Sequence, residues 1–310
     1  LIGTIKRIRS SFLRRPRAFL FARATQLAAF LVCGFLVVVV AVLAYKSSLL
    51  LRHESLIDLL LSSEWNPMRG QFGFFPIIVG SVYVTGLAML LAIPVSMLSS
   101  IYVAEYIRGR FKGVLKSFVD VLAGIPSVVY GMCAIIVLVP LVRDRVAPLF
   151  GINSTGFCVF SAAVVLAVMV FPIIISVCVD VFHAVPRETR EASLAVGATK
   201  WQTTKLVVFP AALPGVFSAV LLGFGRAFGE TIAVAMLVGN LPRIPASLFD
   251  SGTTLPAIIA STYGELMSVP RYDAAMMSLA LILILIVLLF NYVAQSIKKR
   301  FEKSQTGESA

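Results

Sequence analysis

The chain has 310 residues, of which 59% are hydrophobic and 14% charged, and its mean hydropathy is +0.94. A soluble domain of this length could not hide so much apolar surface, so a polytopic all-α membrane protein is expected. The net charge of +12 comes with no nucleic-acid reader motif; the basic residues lie along membrane edges, where anionic headgroups of membrane lipid are the natural neighbours.

In chain order, a basic segment covers residues 1–26 and the first transmembrane helix residues 27–49, "LAAFLVCGFLVVVVAVLAY". Its apolar run is too long for a secretory signal and no small-residue cleavage site clearly follows, so a retained helix is expected. An external segment covers 50–75, and 76–297 hold five more spans before a tail at 298–310. The charge-free runs Arg23 to Lys46, Arg69 to Glu105, Asp120 to Arg143, Arg145 to Asp180 and Asp273 to Lys298 can each cross about 30 Å of hydrocarbon. A sixth, Ala211 to Val238, is interrupted only by Arg226 and Glu230.

Lysine and arginine orient these six spans. With both termini cytoplasmic, the inner segments hold the basic amino-terminal cluster, then Arg108, Arg110, Lys112 and Lys116, then Arg187, Arg190, Lys200 and Lys205, then Lys298, Lys299, Arg300 and Lys303. The outer segments hold only Lys46, Arg52, Arg69, Arg143, Arg145, Arg243 and Arg271. This inside-positive bias sets the topology.

Several chemistries are absent from the sequence. It contains no Gly-Lys dipeptide and hence no G-x-x-x-x-G-K-[ST] loop, so the chain is expected not to hydrolyse ATP; G-x-S-x-G and H-E-x-x-H are also missing. Cys33, Cys133, Cys158 and Cys178 lie in apolar runs without metal-ligand spacing and read as packing residues, so no metal is expected. His53 and His183 fall in connecting segments and read as solvated.

Pro94, Pro126 and Pro172 fall within apolar runs and read either as gating bends or as ordinary kinks, since each removes a backbone hydrogen bond. Gly80, Gly86, Gly124 and Gly131 offer close helix approach. The polar segment from His183 to Gly215 predicts two short helices at the cytoplasmic edge. Pro186 opens the first, with Glu188 and Glu191 near its start, and Gly197 stops it in a left-handed conformation; the second starts near Thr199 and runs toward Pro210. Such a pair exposes Glu191, Ala192 and Ala195 as a knob, or else lies flat as an amphipathic loop.

The stretch "GRAFGET", continued as "IAVAMLVGN", places Arg226 roughly 22 Å along a helix that begins near Ala211. An arginine at the bilayer centre costs about 2.5–3.5 kcal/mol, so it should face a water-filled or protein-lined interior. Glu230, four residues on, is expected on the same face, where the two neutralise each other. A buried bridge serving packing alone is the other reading, and such bridges are often no more stabilising than apolar replacements. The arginine fork suits a tetrahedral oxyanion. A Glu230 carboxylate can accept the proton of a protonated oxyanion but would repel a fully ionised one. Beyond it, "TLPAIIASTYGELM" within residues 241–272 predicts a short helix resting on the outer membrane surface.

The segment after His183 resembles the EAA loop of ABC importer permeases, whose pattern is E-A-A, three residues, G, nine residues, I-x-L-P. Here it reads Glu191, Ala192, Ser193, Gly197, Val207, Phe209 and Pro210, with every spacing intact. Ser193, Val207 and Phe209 depart from the consensus but keep small, β-branched and apolar character. Three further stretches resemble the phosphate-specific branch and its PstC-type permeases: the run from Phe72 to Tyr106, "LAGIPSVVYG" from Leu122, and "GRAFGET" with its continuation.

The resemblance spans residues 70–297. It implies a MetI-like type I ABC permease core with one additional helix and an EAA loop at 183–210 that docks on a separate ATPase, and Arg226, Glu230 and Thr231 are then expected along its substrate pathway. It also implies a PstA-type permease, two copies of a PstB-type ATPase, a PstS-type external phosphate-binding protein and inorganic phosphate as partners. ATP and Mg would sit on the ATPase subunits, with no cofactor on this chain. A molybdate or sulfate permease of the same fold and an ion-driven secondary transporter are the alternatives.

Overall fold

In a computed structural model of the chain, residues 16–306 are described except 53, 108, 266–268 and 270, and for 16–20, 110 and 299–306 the description is of backbone alone. The basic residues before 16, His53, Arg108, the last two residues of TLPAIIASTYGELM and the tail beyond 306 lie outside the described residues. The fold is all-α. Among the described residues six helical segments are long and apolar enough to cross a membrane: Phe21–Leu51, Phe75–Tyr106, Ser127–Leu149, Val159–Ala184, Lys200–Gly229 and Tyr272–Lys298.

The first segment belongs to helix α1 (Pro16–Leu51). A short helix α2 (Leu56–Leu61) and a hairpin of β1 (Trp65–Asn66) with β2 (Gln71–Phe72) follow, paired antiparallel with Trp65 opposite Phe72. Helix α3 (Phe75–Ile101) then runs into a π-turn, Tyr102–Tyr106. Helix α4 (Arg110–Gly124) is separated by Pro126 from α5 (Ser127–Leu141), which passes through a second π-turn, Val142–Val146, into α6 (Ala147–Leu149). Helix α7 (Val159–Ala184) is the centre of the bundle, and α8 (Arg187–Ala195) follows it. Helix α9 (Lys200–Thr203), a third π-turn at Thr204–Val208 and α10 (Phe209–Gly229) form one continuous span. Helices α11 (Ile232–Leu237), α12 (Leu255–Thr262) and α13 (Tyr272–Thr306) complete the chain.

Two of the three π-turns have a visible cause. A proline inside a helix clashes with the carbonyl four residues back, and a wider turn carries that carbonyl aside. Pro148 follows the turn at Val142–Val146 and Pro210 follows the turn at Thr204–Val208 in this way. The fifth span therefore starts at Lys200 rather than near Ala211, and Pro210 lies inside it.

Small side chains set the packing. Ala88 and Ala92 of α3 share one buried cluster with Ala162, Ala163, Leu166, Ala167 and Val170 of α7. With lipid outside, close van der Waals approach replaces the hydrophobic effect as the force between helices, and alanine permits it. A second cluster joins Leu50, Phe72, Phe74, Ile77, Tyr272, Met276 and Leu279 at the opposite end of the bundle from α8. Helix α1 leaves Phe30, Leu31 and Phe35 exposed, as suits a helix with lipid on most sides. Lys46 Nζ donates to Asp273 Oδ2 at 2.7 Å and holds it to α13.

Several expectations need correction. Pro94 and Pro172 lie inside α3 and α7, but Pro126 precedes α5 in extended conformation (φ −59°, ψ 140°), so it divides two helices rather than bending one. The third span begins at Ser127 and not at Asp120, because α4 is a separate amphipathic helix. Gly80 and Gly131 do sit at close approaches, whereas Gly86 and Gly124 face open space. Helix α12 is no surface helix: Leu255, Pro256, Ala257 and Ile258 are buried, and the Leu255 N–H donates to Ser81 Oγ of α3 at 2.7 Å. All four cysteines are free; Cys158 and Cys178 are buried, while Cys33 and Cys133 are exposed. His183 is exposed beside Lys112.

Candidate functional site: a polar cleft and an exposed helical knob

Arg226 occupies the last turn of α10, where the carbonyl end of the helix dipole favours a cation. It faces a cleft of roughly 860 Å³ lined also by Ile173 of α7, Ser218, Leu221, Leu222 and Gly225 of α10, and Asn291, Gln295 and Lys298 of α13. Positions 291, 295 and 298 stand one and two turns apart on one helical stripe. Asn291 Nδ2 donates one of its two hydrogens to the Val287 carbonyl at 2.9 Å. Sequence reasoning did not pick out Ser218, Asn291, Gln295 or Lys298; the signal was the i, i+4, i+7 polar stripe in an otherwise apolar last span.

The expected Arg226–Glu230 pair does not form. Helix α10 stops at Gly229, and Glu230 has extended backbone angles (φ −69°, ψ 126°), so the four-residue spacing no longer puts both on one face. Ion pairs among the described residues include Lys46–Asp273, Lys116–Asp180, Arg143–Asp144 and Arg190–Glu105. Glu230 Oε1 instead accepts from the Ala233 N–H at 3.4 Å, near the start of α11. Thr231 Oγ1 donates to the Gly229 carbonyl at 3.2 Å. Glu230 and Thr231 thus sit in a break between two helices, with Arg226 one turn back.

The knob is built from local signals. Pro186 sets φ −57° and ψ 144° ahead of α8. At its far end Gly197 takes φ +88°, donating its N–H to Leu194 O at 3.0 Å while the Ala198 N–H bonds Ser193 O at 3.3 Å; this is a glycine stop that a side chain would strain. Thr199 and Gln202 then form a reciprocal capping box at the start of α9. Ser193 Oγ and Thr203 Oγ1, 3.0 Å apart, pin the two helices together. Glu191, Ala192, Leu194, Ala195, Val196 and Gly197 are exposed, Val196 at 85%. The helical pair thus leaves one carboxylate and an apolar rim exposed. Nearby, Lys116 of α4, which lies outside the spans, donates to Asp180 near the end of α7 at 2.9 Å, and that carboxylate raises the ammonium pKa above its usual range.

A six-span bundle with an open arginine-bearing cleft on its flank and an exposed helical pair at one end is the architecture of a membrane transport subunit. Residues 92–306 match the family described as binding-protein-dependent transport system inner membrane component. Among similar proteins, the probable ABC transporter permease protein YqgH of Bacillus subtilis is 37% identical over 82% of this chain and 81% of its own length. The phosphate transport system permease protein PstC of Xylella fastidiosa is 33% identical over 80% of this chain and 81% of its own. In fold, the chain is similar to one from a bacterial ABC transporter involved in the import of the acidic polysaccharide alginate. There the TM-score is 0.62 at 14% identity, over 95% of this chain and 99% of that one. The chain belongs to the family of binding-protein-dependent transport system inner membrane components, and it is a multi-pass membrane protein with the MetI-like permease fold.

Proposed function

We propose that the chain is the PstC-type permease subunit of an ATP-driven importer of inorganic phosphate. The observation that carries this reading is Arg226, a permanent cation inside a span, facing a cleft whose other polar groups are neutral amides, a hydroxyl and a lysine. Such a lining attracts an anion and can hydrogen-bond a tetrahedral oxyanion. The permease named for phosphate transport at 33% identity supports the choice of anion.

In this reading both termini and the Glu191–Gly197 knob are cytoplasmic. Transport is by alternating access. An external phosphate-binding protein of PstS type delivers the anion at the α12 end, and two PstB-type ATPases hold ATP and Mg. Their closure moves the knob together with its counterpart on a PstA-type permease, so that the two permeases enclose the pathway and open it outward. Pro94 and Pro172 are the bends at which α3 and α7 would flex, and Pro126 is the joint between α4 and α5. Glu230, in the helix break, accepts the proton of hydrogen phosphate, which fully ionised sulfate lacks.

The test is uptake of labelled phosphate by vesicles holding the assembled complex. Competition by excess phosphate but not by molybdate or sulfate is expected. Uptake abolished by molybdate and untouched by excess phosphate overturns the substrate, and a complex that never contains a nucleotide-binding subunit overturns the ATP-driven mechanism.

A further inference from the structure

Both arms of the knob grip the π-turn Tyr102–Tyr106 that closes the second span. From α8, Arg190 Nη2 donates to Glu105 Oε1 at 2.9 Å, with the two side chains only 19% and 11% exposed. The same guanidinium donates to carbonyl oxygens at the end of α7: Phe182 at 2.6 Å, Val185, and beyond them Pro186 at 3.4 Å. From α9, Lys200 Nζ stands 4.6 Å from the centre of the Tyr106 ring, which stacks on Tyr102.

Burial decides what such a junction is worth. An exposed ion pair contributes little, but removing one partner of a buried pair strands a charge. The fork also joins three elements at once, with the π-turn that continues α3 held through the Glu105 carboxylate, α7 through its last carbonyls, and α8 through the arginine itself. Helix α7 carries Ile173, which lines the Arg226 cleft, so a helix already in contact with the junction forms part of the cleft wall. No proline follows Tyr102–Tyr106 in the manner of the other two π-turns, and wide turns of this kind are frequent at functional sites.

We infer that Arg190 is a positioning residue of the coupling step: through Glu105 and the end of α7 it makes the knob rigid with α3 and α7, so that displacement of the knob reaches the cleft rather than bending the loop. This rests on the coupling role proposed above for the knob.

The experiment uses the full complex, co-expressed with its companion permease and ATPase and reconstituted in vesicles with phosphate-loaded external binding protein. ATP hydrolysis and labelled phosphate uptake are measured together for Arg190→Gln, Glu105→Gln and Arg190→Lys. The expected result is that the ATPase still co-purifies and hydrolyses ATP, while phosphate delivered per ATP falls about tenfold in both glutamine variants and partly recovers in Arg190→Lys. If Arg190→Gln does not accumulate, Arg190→Lys, which keeps the charge but loses the fork, must still lower the ratio. An unchanged ratio overturns the inference, as does loss of the ATPase from both glutamine variants, which would reduce the pair to shaping the dock. A wild-type chain that brings down no ATPase defeats the coupling role itself, a separate outcome.

Discussion

Gly80 of α3 lies against the backbone of Thr253, so close that a methyl group on it would overlap the Thr253 carbonyl oxygen and stand 3.2 Å from the carbonyl carbon. The contact seats the segment leading into α12 against the second span, next to the bond from the Leu255 N–H to Ser81 Oγ. Gly80→Ala is expected to push this segment off α3 and to destabilise the protein by about 1–3 kcal/mol, the usual range for overpacking. A lowered thermal midpoint of the detergent-solubilised protein, with Gly86→Ala as the open-space control, checks it.

Arg226→Ala should lower phosphate uptake by about tenfold or more while the complex still assembles. The loss expected from one charge-assisted hydrogen-bonding group is about 1.5–3 kcal/mol, roughly 10- to 150-fold. Normal transport by an assembled Arg226→Ala complex would remove this residue from the pathway.

The α13 stripe gives a graded expectation. Asn291→Leu and Gln295→Leu, which keep side-chain bulk and remove the amides, should each slow uptake several-fold at unchanged protein level, by about 1 kcal/mol per neutral hydrogen bond. Uptake at the original rate in the double variant would show that the anion does not pass this wall.

Selectivity is assigned to the helix break. Because α10 ends at Gly229, Glu230 keeps its carboxylate apart from Arg226, and Glu230→Gln is expected to weaken discrimination against sulfate without losing phosphate uptake. Competition of labelled phosphate by sulfate, measured in vesicles with and without the substitution, decides it; identical competition curves reject the role.

The knob depends on one backbone conformation. Gly197→Val forces a β-branched residue into φ +88°, a strain of about 1–3 kcal/mol, and should unwind the end of α8. The expected readout is less ATPase recovered with the purified complex, with Gly113→Val in the first turn of α4 as a comparison that spares the knob.

Much of this protein was legible residue by residue. Hydropathy placed the six spans, since the length of an uncharged run and the thickness of hydrocarbon are enough to define a crossing. The knob was equally local: Pro186, Gly197 and the cap at Thr199 each act on their own turn of backbone, and the structure puts them where the spacing did. Where the reading went astray, the cause lay in interruptions that hydropathy cannot register. Pro126 splits a run into α4 and α5, Pro210 is absorbed by a π-turn, and the break after Gly229 cancels the i, i+4 relation between Arg226 and Glu230.

Contacts between distant segments were decided by the tertiary structure alone. Nothing within a few residues of Glu105 points to Arg190, 85 positions away, and nothing near Arg226 points to the Asn291 stripe. Each helix becomes helical for reasons contained in its own sequence, but which faces meet is set by the packing of small residues along α3, α7 and α10 and by where each helix stops. Local chemistry thus determined the spans and the protruding loop, and the assembled bundle determined the cleft lining and the junction beneath the knob.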